Sequence, residues 1–479
     1  MSLPDVVVSV VDPGMGFSTG TSKTQVKIGV SSSGLQNSAV VVYSPSQARS
    51  AFGVGPLVDA LVRLLEGPGG PVVAVRTTRS SGRITAVTRA NGSAGPLVTL
   101  SGIATNDYSL AVQITKTGDI AAGRFRLSYD GGITWQADAL ISQEYPIADL
   151  GVTITFPPGA YVAVGTDGVY GETYTFQVYV GAAFAAGATD VANALDAAKL
   201  SSLPWGLVHV VGSIDPTAAA SATETIAAAV QTKLAAFYVV NSIFARGVVD
   251  CANDADADIL AAFDGKNHDR VAVAAATVWI QDPVKGQIQR PFGHVLMAML
   301  GAKPPGLDAG QVRLFRGYSA ALPTDIASIA SADTVGLDAA RFSVPRTILG
   351  KGGYWVTRCP LFGSATSDYK LLQYGQVIDE VCRAVRGVLL ERLNSGVLLA
   401  KNGTIDPGEA FAIEQVCNRA GDDAVVGTGD ATAVSTLVDR SAVIATGAAL
   451  SVQVGVQPLG YLSRILATVS LVAKLPEVA

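Results

Sequence analysis

Four pieces of one stretch decide the fold class: Gln25-Val-Lys-Ile-Gly-Val30, Tyr43-Ser-Pro-Ser-Gln-Ala-Arg-Ser-Ala-Phe-Gly53, Leu57-Val-Asp-Ala-Leu-Val-Arg-Leu-Leu65 and Pro71-Val-Val-Ala-Val75. Val26, Ile28 and Val30 recur with period two, so 26–30 reads as a strand. Ser44 stands where an N-cap would accept a backbone N–H, and Pro45 takes the first helical position, where its missing N–H costs nothing. Leu57, Leu61, Leu64 and Leu65 fall on one helical face, and Gly67-Pro-Gly-Gly70 stops that helix. The apolar run 71–75 is then a buried strand. Strand, helix, helix, strand is the grammar of an α/β layer.

Outward from there the pattern changes twice. Near Ser80 it becomes β-rich, with short strands expected over 97–100, 108–114, 124–129, 152–156 and 174–180. From residue 182 alternation returns: helix 188–200, strand 206–211, helix 218–234, strand 237–240, helix 254–263, strand 271–279 and helix 293–300. The expectation is a discontinuous α/β core interrupted by an all-β sandwich or barrel. Further on, the Gly- and aromatic-rich segment 347–363 leads to a long amphipathic helix over 368–393. Asp406-Pro-Gly-Glu409 opens another helix, to 420.

Composition removes several classes. The chain is 49% hydrophobic and 15% charged, which excludes intrinsic disorder. No apolar run reaches the ~18 residues of a membrane-spanning helix, so no stable membrane insertion is expected. At net charge −5 the chain is not a general nucleic-acid binder. Cys251, Cys359, Cys382 and Cys417 are widely spaced, and three histidines are scattered, so neither zinc nor a disulfide framework is expected; no cofactor is implied. The first residues lack the basic-then-apolar order of a secretory signal. Such an apolar soluble chain suits a subunit whose surface partners cover.

Local motifs offer little catalysis. Ser128-Tyr-Asp-Gly-Gly-Ile-Thr-Trp135 fits the Ser-x-Asp-x-Gly-x-Thr-Trp box of sialidase-like propellers, but it occurs once, and its physics is that of a hairpin turn. Asp254, Asp256 and Asp258 resemble the start of an EF-hand without its later glycine and glutamate; an acidic helix N-terminus accounts for them. The glycine-rich turns lack the phosphate-cradle spacing, and no Gly-x-Ser-x-Gly elbow is present. The long helix carries Lys370, Arg383, Arg386 and Arg392, either as an ordinary solvated face or as a cationic strip toward an anionic partner.

The two ends carry the stronger signal. Val6, Val8 and Val10 share one strand face, followed by the Gly/Ser/Thr-rich stretch 12–24. Ile465, Ala467, Val469 and Leu471 alternate in the same way behind 455–460, another glycine-containing tether. These strands either pair inside the subunit or are lent to another chain by β-augmentation.

Tyr43 to Gly53, Leu57 to Leu61, and Glu66-Gly-Pro-Gly-Gly-Pro-Val-Val-Ala-Val-Arg76 together resemble the N-terminal core of contractile tail sheath proteins. Lys351-Gly-Gly-Tyr-Trp-Val-Thr-Arg358, with Asp368-Tyr369 and the helix behind them, is similar to the sheath C-terminal domain. The chain departs from the family at Lys370-Leu-Leu-Gln-Tyr374, where paired arginines are usual. The resemblance implies a non-enzymatic subunit of a bacteriophage tail or injection machine, assembled in the host cytoplasm into six-membered rings around a tail tube. Baseplate and terminator proteins would be its further partners. Terminal strands of neighbours would complete a small sheet in another copy, and Lys370, Arg383, Arg386 and Arg392 become tube-facing candidates. The implied division is an arm at 1–24, a core of 25–80 plus 181–346, an insertion at 81–180, an inner domain at 347–464 and a donated strand at 465–479. Two rivals remain: a carbohydrate-active or carbohydrate-binding β protein, on the strength of the single box, and a non-contractile structural protein.

Overall fold

The structure is a computed structural model that describes residues 23–461 apart from 68, 79–81, 93–94, 165–170, 181–186, 252–253, 330–334, 365–366 and 447–448. The terminal strand residues Val6, Val8, Val10, Ile465, Ala467, Val469 and Leu471 lie outside the described residues. Strand β1 (Gln25–Gly29) leads to β2 (Ala39–Val42), α1 (Pro45–Phe52), α2 (Pro56–Leu65) and β3 (Val72–Arg76). The N-cap reading of Ser44 is met: its hydroxyl accepts the Gln47 N–H at 3.3 Å.

The insertion supplies β4 (Arg83–Ile84), β5 (Thr88–Ala90), β6 (Thr99–Gly102), β7 (Tyr108–Lys116), β8 (Arg124–Ser128), β9 (Ala139–Leu140), β10 (Glu144–Ile147), β11 (Val152–Thr155) and β12 (Thr173–Tyr179). They form two antiparallel sheets, one built on β12, β7 and β8 and one ordered β10-β11-β6. Leu110, Val112, Phe125 and Phe176 of the first meet Ile147, Val152 and Ile154 of the second in one core, as sandwich faces do.

The core resumes with α3 (Gly187–Lys199), β13 (Leu207–Val210), α4 (Ala220–Ala236), β14 (Arg246–Asp250), α5 (Asp256–Phe263) and β15 (Val271–Ala274). Its sheet runs β15-β14-β13-β1-β3-β2, parallel except for the edge strand β2. Val26, Ile28, Val208, Val210, Val249 and Val273 face α3 and α4, while Ala74, Leu207 and Val248 face the other side. That second side is covered by α2 and by α6 (Phe292–Ala302), which follows the hairpin β16 (Thr277–Asp282) and β17 (Gly286–Pro291). Burial on both faces is why these strands are nearly continuous in valine. The acidic triplet behaves as a helix start: Asp256 and Asp258 lie in the first turn of α5, and Asp254 Oδ2 accepts the Ala220 N–H at the head of α4.

After β18 (Ile326–Ile329), α7 (Val335–Ala339) and the hairpin β19 (Pro345–Ile348) and β20 (Lys351–Val356) comes a C-terminal layer. It comprises α8 (Leu372–Leu390), α9 (Pro407–Gly421), β21 (Ala431–Val438) and β22 (Val452–Pro458).

Three expectations need correction. The segment 237–240 is no strand. Phe237–Asn241 continues α4 as a π-helical turn, because Phe237 packs on Trp205 while Val239 and Val240 point to solvent, a disposition that period two cannot give. The run 271–279 is split, since Ala275 hands its N–H to the Ser343 carbonyl and the chain leaves the parallel sheet to pair β16 with β17 and β18. The tether expected at 455–460 is mostly strand, with Val452–Pro458 paired along β21.

Candidate assembly interface

The C-terminal layer is two helices backed by two strands. On the inner face Val434, Thr436 and Val438 pair across from Val456, Val454 and Val452; on the outer face Ala433, Ser435 and Leu437 pair across from Gln457, Gly455 and Gln453. The valines form the core of this layer with Val377, Val381, Ile413 and Cys417. Two strands cover about 10 Å, whereas two packed helices are about 20 Å wide. The coverage is correspondingly incomplete: Val452, Val454 and Val456 stay half-buried, as do Val388 and Leu389 at the end of α8. Among the described residues both outer edges of this sheet are unpaired.

Two polar joints fix the layer to the core. At the first, Arg246 Nε donates to Asp379 Oδ2 at 2.9 Å and Arg246 Nη2 donates to Asp379 Oδ1 at 3.2 Å, with both side chains buried. Burial works against the Arg246 charge, but Asp379 outweighs it and holds the pKa above its ordinary value. Gly375 makes the room, since a Cβ there would sit 2.7 Å from Arg246 Nε. At the second joint, Gly306 N–H donates to Asp430 Oδ1 at 3.1 Å, Arg316 pairs with the same carboxylate at 2.8 Å, and the Tyr461 hydroxyl donates to the Gly306 carbonyl at 2.5 Å.

The insertion is held as firmly. Arg290, 2% exposed, donates to Asp59 at 2.8 Å and to the Asp107 carbonyl at 2.9 Å. Asp107 in turn accepts from Val180 N, Ser213 Oγ and Ile214 N; burial raises its pKa to about 6. The propeller-type box serves the same joint. Asp130 accepts from Ser128 Oγ, the Ile133 and Thr134 amides and Thr134 Oγ1, and reaches across to the Gln287 N–H at 3.2 Å. Arg126 lies over the Trp135 ring, and Gln136 Nε2 donates to the Val284 carbonyl at 2.7 Å. The carboxylate that would suggest carbohydrate chemistry is thus spent on a turn and on the β16–β17 hairpin.

The tube-facing candidates do not line up on one stripe. Lys370 precedes α8 and is exposed. Arg392 lies past the end of α8, and within the helix only Arg383 and Arg386 remain, about 60° apart. Arg383 pairs with Glu380 and donates to the Phe244 carbonyl, and partial burial holds the Arg386 pKa below its usual range.

One cluster was invisible in the sequence. Under α6, Lys27 Nζ donates to His209 Nδ1 at 3.1 Å, and His209 Nε2 donates to Asp250 Oδ2 at 3.1 Å. This places a neutral imidazole between an ammonium and a carboxylate. His294 Nε2 is 3.9 Å from the same oxygen. Burial lowers Lys27 to about 7 and His294 to about 3; it also lowers His209, whereas Asp250 is held below its ordinary value because His209 outweighs burial. All four side chains are closed to solvent. Among the described residues no group of His, Cys, Asp and Glu could hold a metal ion, and no helix is long and apolar enough to cross a membrane.

The fold is shared with contractile sheaths. The helical sheath of the anti-feeding prophage in its contracted state is 12% identical, covering 98% of this chain and 99% of that one, with a TM-score of 0.52. The contracted sheath complex of the extracellular contractile injection system PVC is 8% identical, covering 99% and 98%, with a TM-score of 0.51. A chain in the six-fold symmetrised baseplate of the anti-feeding prophage is 11% identical, covering 98% and 99%, with a TM-score of 0.50. No curated protein matches the sequence. The family model described as DUF2586, N-terminal domain, matches residues 3–360. With that model spanning most of the chain, the protein belongs to the DUF2586 family.

Proposed function

We propose that this chain is the sheath subunit of a contractile phage tail or injection machine, a structural protein that polymerises with itself around an inner tube. The observation that carries the reading is the under-covered β21–β22 sheet: among the described residues a two-stranded, half-buried sheet with open edges, in a chain whose two ends each carry a period-two apolar pattern in the sequence. Strands lent by neighbouring copies would finish the layer by β-augmentation. The arms are residues 1–24 and 465–479, the core 25–80 plus 181–346, the insertion 81–180 and the inner domain 347–464. Rings of six, attachment to a baseplate and a stop at a terminator protein complete the proposal; the six-fold baseplate that contains a chain of this fold supports the ring. Lys370, the exposed one of the four cations, is the best placed for touching a tube. Assembly in a host cytoplasm into a tail or particle is part of the same reading. Contraction would be subunit reorientation in a metastable lattice, with the energy stored at assembly.

Negative-stain electron microscopy of the full-length protein beside a chain ending at residue 464 tests this. Hollow striated tubules from the full-length chain and folded monomers from the truncation are the expected pair. Tubules from both would remove strand donation. Dispersed full-length particles, with purified tube protein present as a template, would remove the sheath reading.

A further inference from the structure

Both ends of the described chain meet α6 and the loop that follows it: the N-terminal end rests on the helix, the C-terminal end on the loop. At the N-terminal end, Thr24 offers its carbonyl to the Gly206 and Leu207 amides, and Gln25 Nε2 donates to the Met297 carbonyl of α6 at 2.6 Å. A Cβ on Gly301 would lie 3.1 Å from that same Gln25 Nε2, so the last turn of α6 rests on the start of β1. The helix then closes with Lys303 N–H donating to Met299 O, and the chain turns through Lys303-Pro304-Pro305-Gly306-Leu307. At the C-terminal end, Tyr461 donates its hydroxyl to Gly306 and sets its ring against Tyr374, with centroids 5.4 Å apart.

Lys303 holds this loop from inside. It is fully buried, and its ammonium donates to the carbonyls of Pro304 at 2.8 Å, Pro305 at 3.0 Å and Leu307 at 2.7 Å. While Lys303 is protonated, those three bonds use all its donors and turn three carbonyls inward around one charge. Burial lowers the Lys303 pKa to about 7. Gly306 permits the approach: a Cβ there would meet the Asp430 backbone oxygen at 2.3 Å.

We propose that the end of α6 together with the loop 303–307 is the common root of both terminal arms and that Lys303 is its positioning residue. This rests on the strand-donation reading and deepens it. Were the two arms rooted far apart, rotating the subunit would swing one root against the other and strain the links to its neighbours. Rooted together, both links stay near the pivot, and a large reorientation leaves them intact.

The test is hydrogen exchange on unassembled subunits, comparing wild type with Lys303→Met, which keeps length and removes the charge. The amides of Gly206 and Leu207, held by the N-terminal root, and of Gly306, held at the C-terminal root, should each exchange at least about tenfold faster. Val73 and Val248 in the central sheet should be unchanged. Acceleration at one root only, or at neither, overturns the common root. If Lys303→Met does not fold, Tyr461→Phe decides: it keeps the ring on Tyr374 but leaves the Gly306 carbonyl without its donor, and must loosen the N-terminal root as well as the C-terminal one. Tubule formation by wild type is scored separately, so a chain that never polymerises counts against the sheath reading while the exchange result stands.

Discussion

At the scale of residues, charges placed out of water govern the energetics. Arg246→Met would leave the Asp379 carboxylate buried beside Arg270, whose guanidinium is 3.9 Å away and too distant to replace a bidentate partner. Losing one member of a buried pair costs about 3–5 kcal/mol, whereas exchanging both for apolar groups is often near neutral. Urea denaturation should therefore show Arg246→Met strongly destabilised and the double change with Asp379→Leu substantially restored. Equal loss in both would mean that the pair orients nothing beyond its own volume. Lys27 and Lys303 make a second prediction. Burial brings each to about 7 in the fold against 10.5 when free. Between those values the unfolded chain keeps a proton that the folded chain has released, so stability should rise with pH from about 7 to about 10. Each lysine contributes on the order of 1 kcal/mol per pH unit. Tyr129 and Tyr161, raised by burial to about 12, reverse the slope above pH 10, because the folded state then holds the extra protons. Denaturation midpoints at pH 7, 8 and 9 that do not climb, or that climb equally after Lys27→Met and Lys303→Met, would refute the assignment.

At the scale of elements, the insertion is fastened by a turn. Asp130 ties the β8–β9 loop to the β16–β17 hairpin, and Gly286 sits at φ 79° with no space for a side chain: a Cβ would meet Thr134 Oγ1 at 2.0 Å and Asp130 Oδ2 at 2.2 Å. Asp130→Ala leaves several amides without their acceptor, a loss of about 1–3 kcal/mol for a buried polar group. Limited proteolysis should then cut within 129–137, and Gly286→Ala should do the same by wedging the two elements apart. Unchanged cleavage in both variants would show that Arg290 and Asp107 suffice to hold the insertion.

At the scale of the whole molecule, the layers are bolted together and the sheet in the C-terminal layer is left short. Deleting residues 1–22 should leave the thermal midpoint within about 1 °C, a change of roughly 1 kcal/mol or less, while abolishing tubules. A fall of more than about 10 °C would instead place that segment inside the subunit's own fold. Salt should weaken attachment to a tube if Lys370 meets an anionic surface, since exposed charges are screened beyond a Debye length of about 8–10 Å. Tube binding that is indifferent to salt and to charge reversal at that position would remove it as a contact.

The sequence by itself determined whatever depends on neighbours along the chain. Val26 and Ile28 as a strand face, Ser44 and Pro45 as a helix start, the leucines of α2, the acidic head of α5 and the strand at β7 were all legible, because caps and periodicity act within a few residues. What required distant partners was not. Phe237–Asn241 has the composition of a strand, and only Trp205 turns it into the end of a helix. Segment 455–460 has the composition of a linker and becomes a strand once β21 lies beside it. His209, Asp250 and Lys27 stand in runs of valine with no spacing in common, and parallel strands bring them together. The clearest case is the meeting of Gln25 and Tyr461 at α6 and the loop after it, Gln25 on Met297 and Tyr461 on Gly306. Local free energies choose helix or strand, but burial, ion pairing and strand register are set by residues hundreds of positions apart, and the tertiary structure alone decides them.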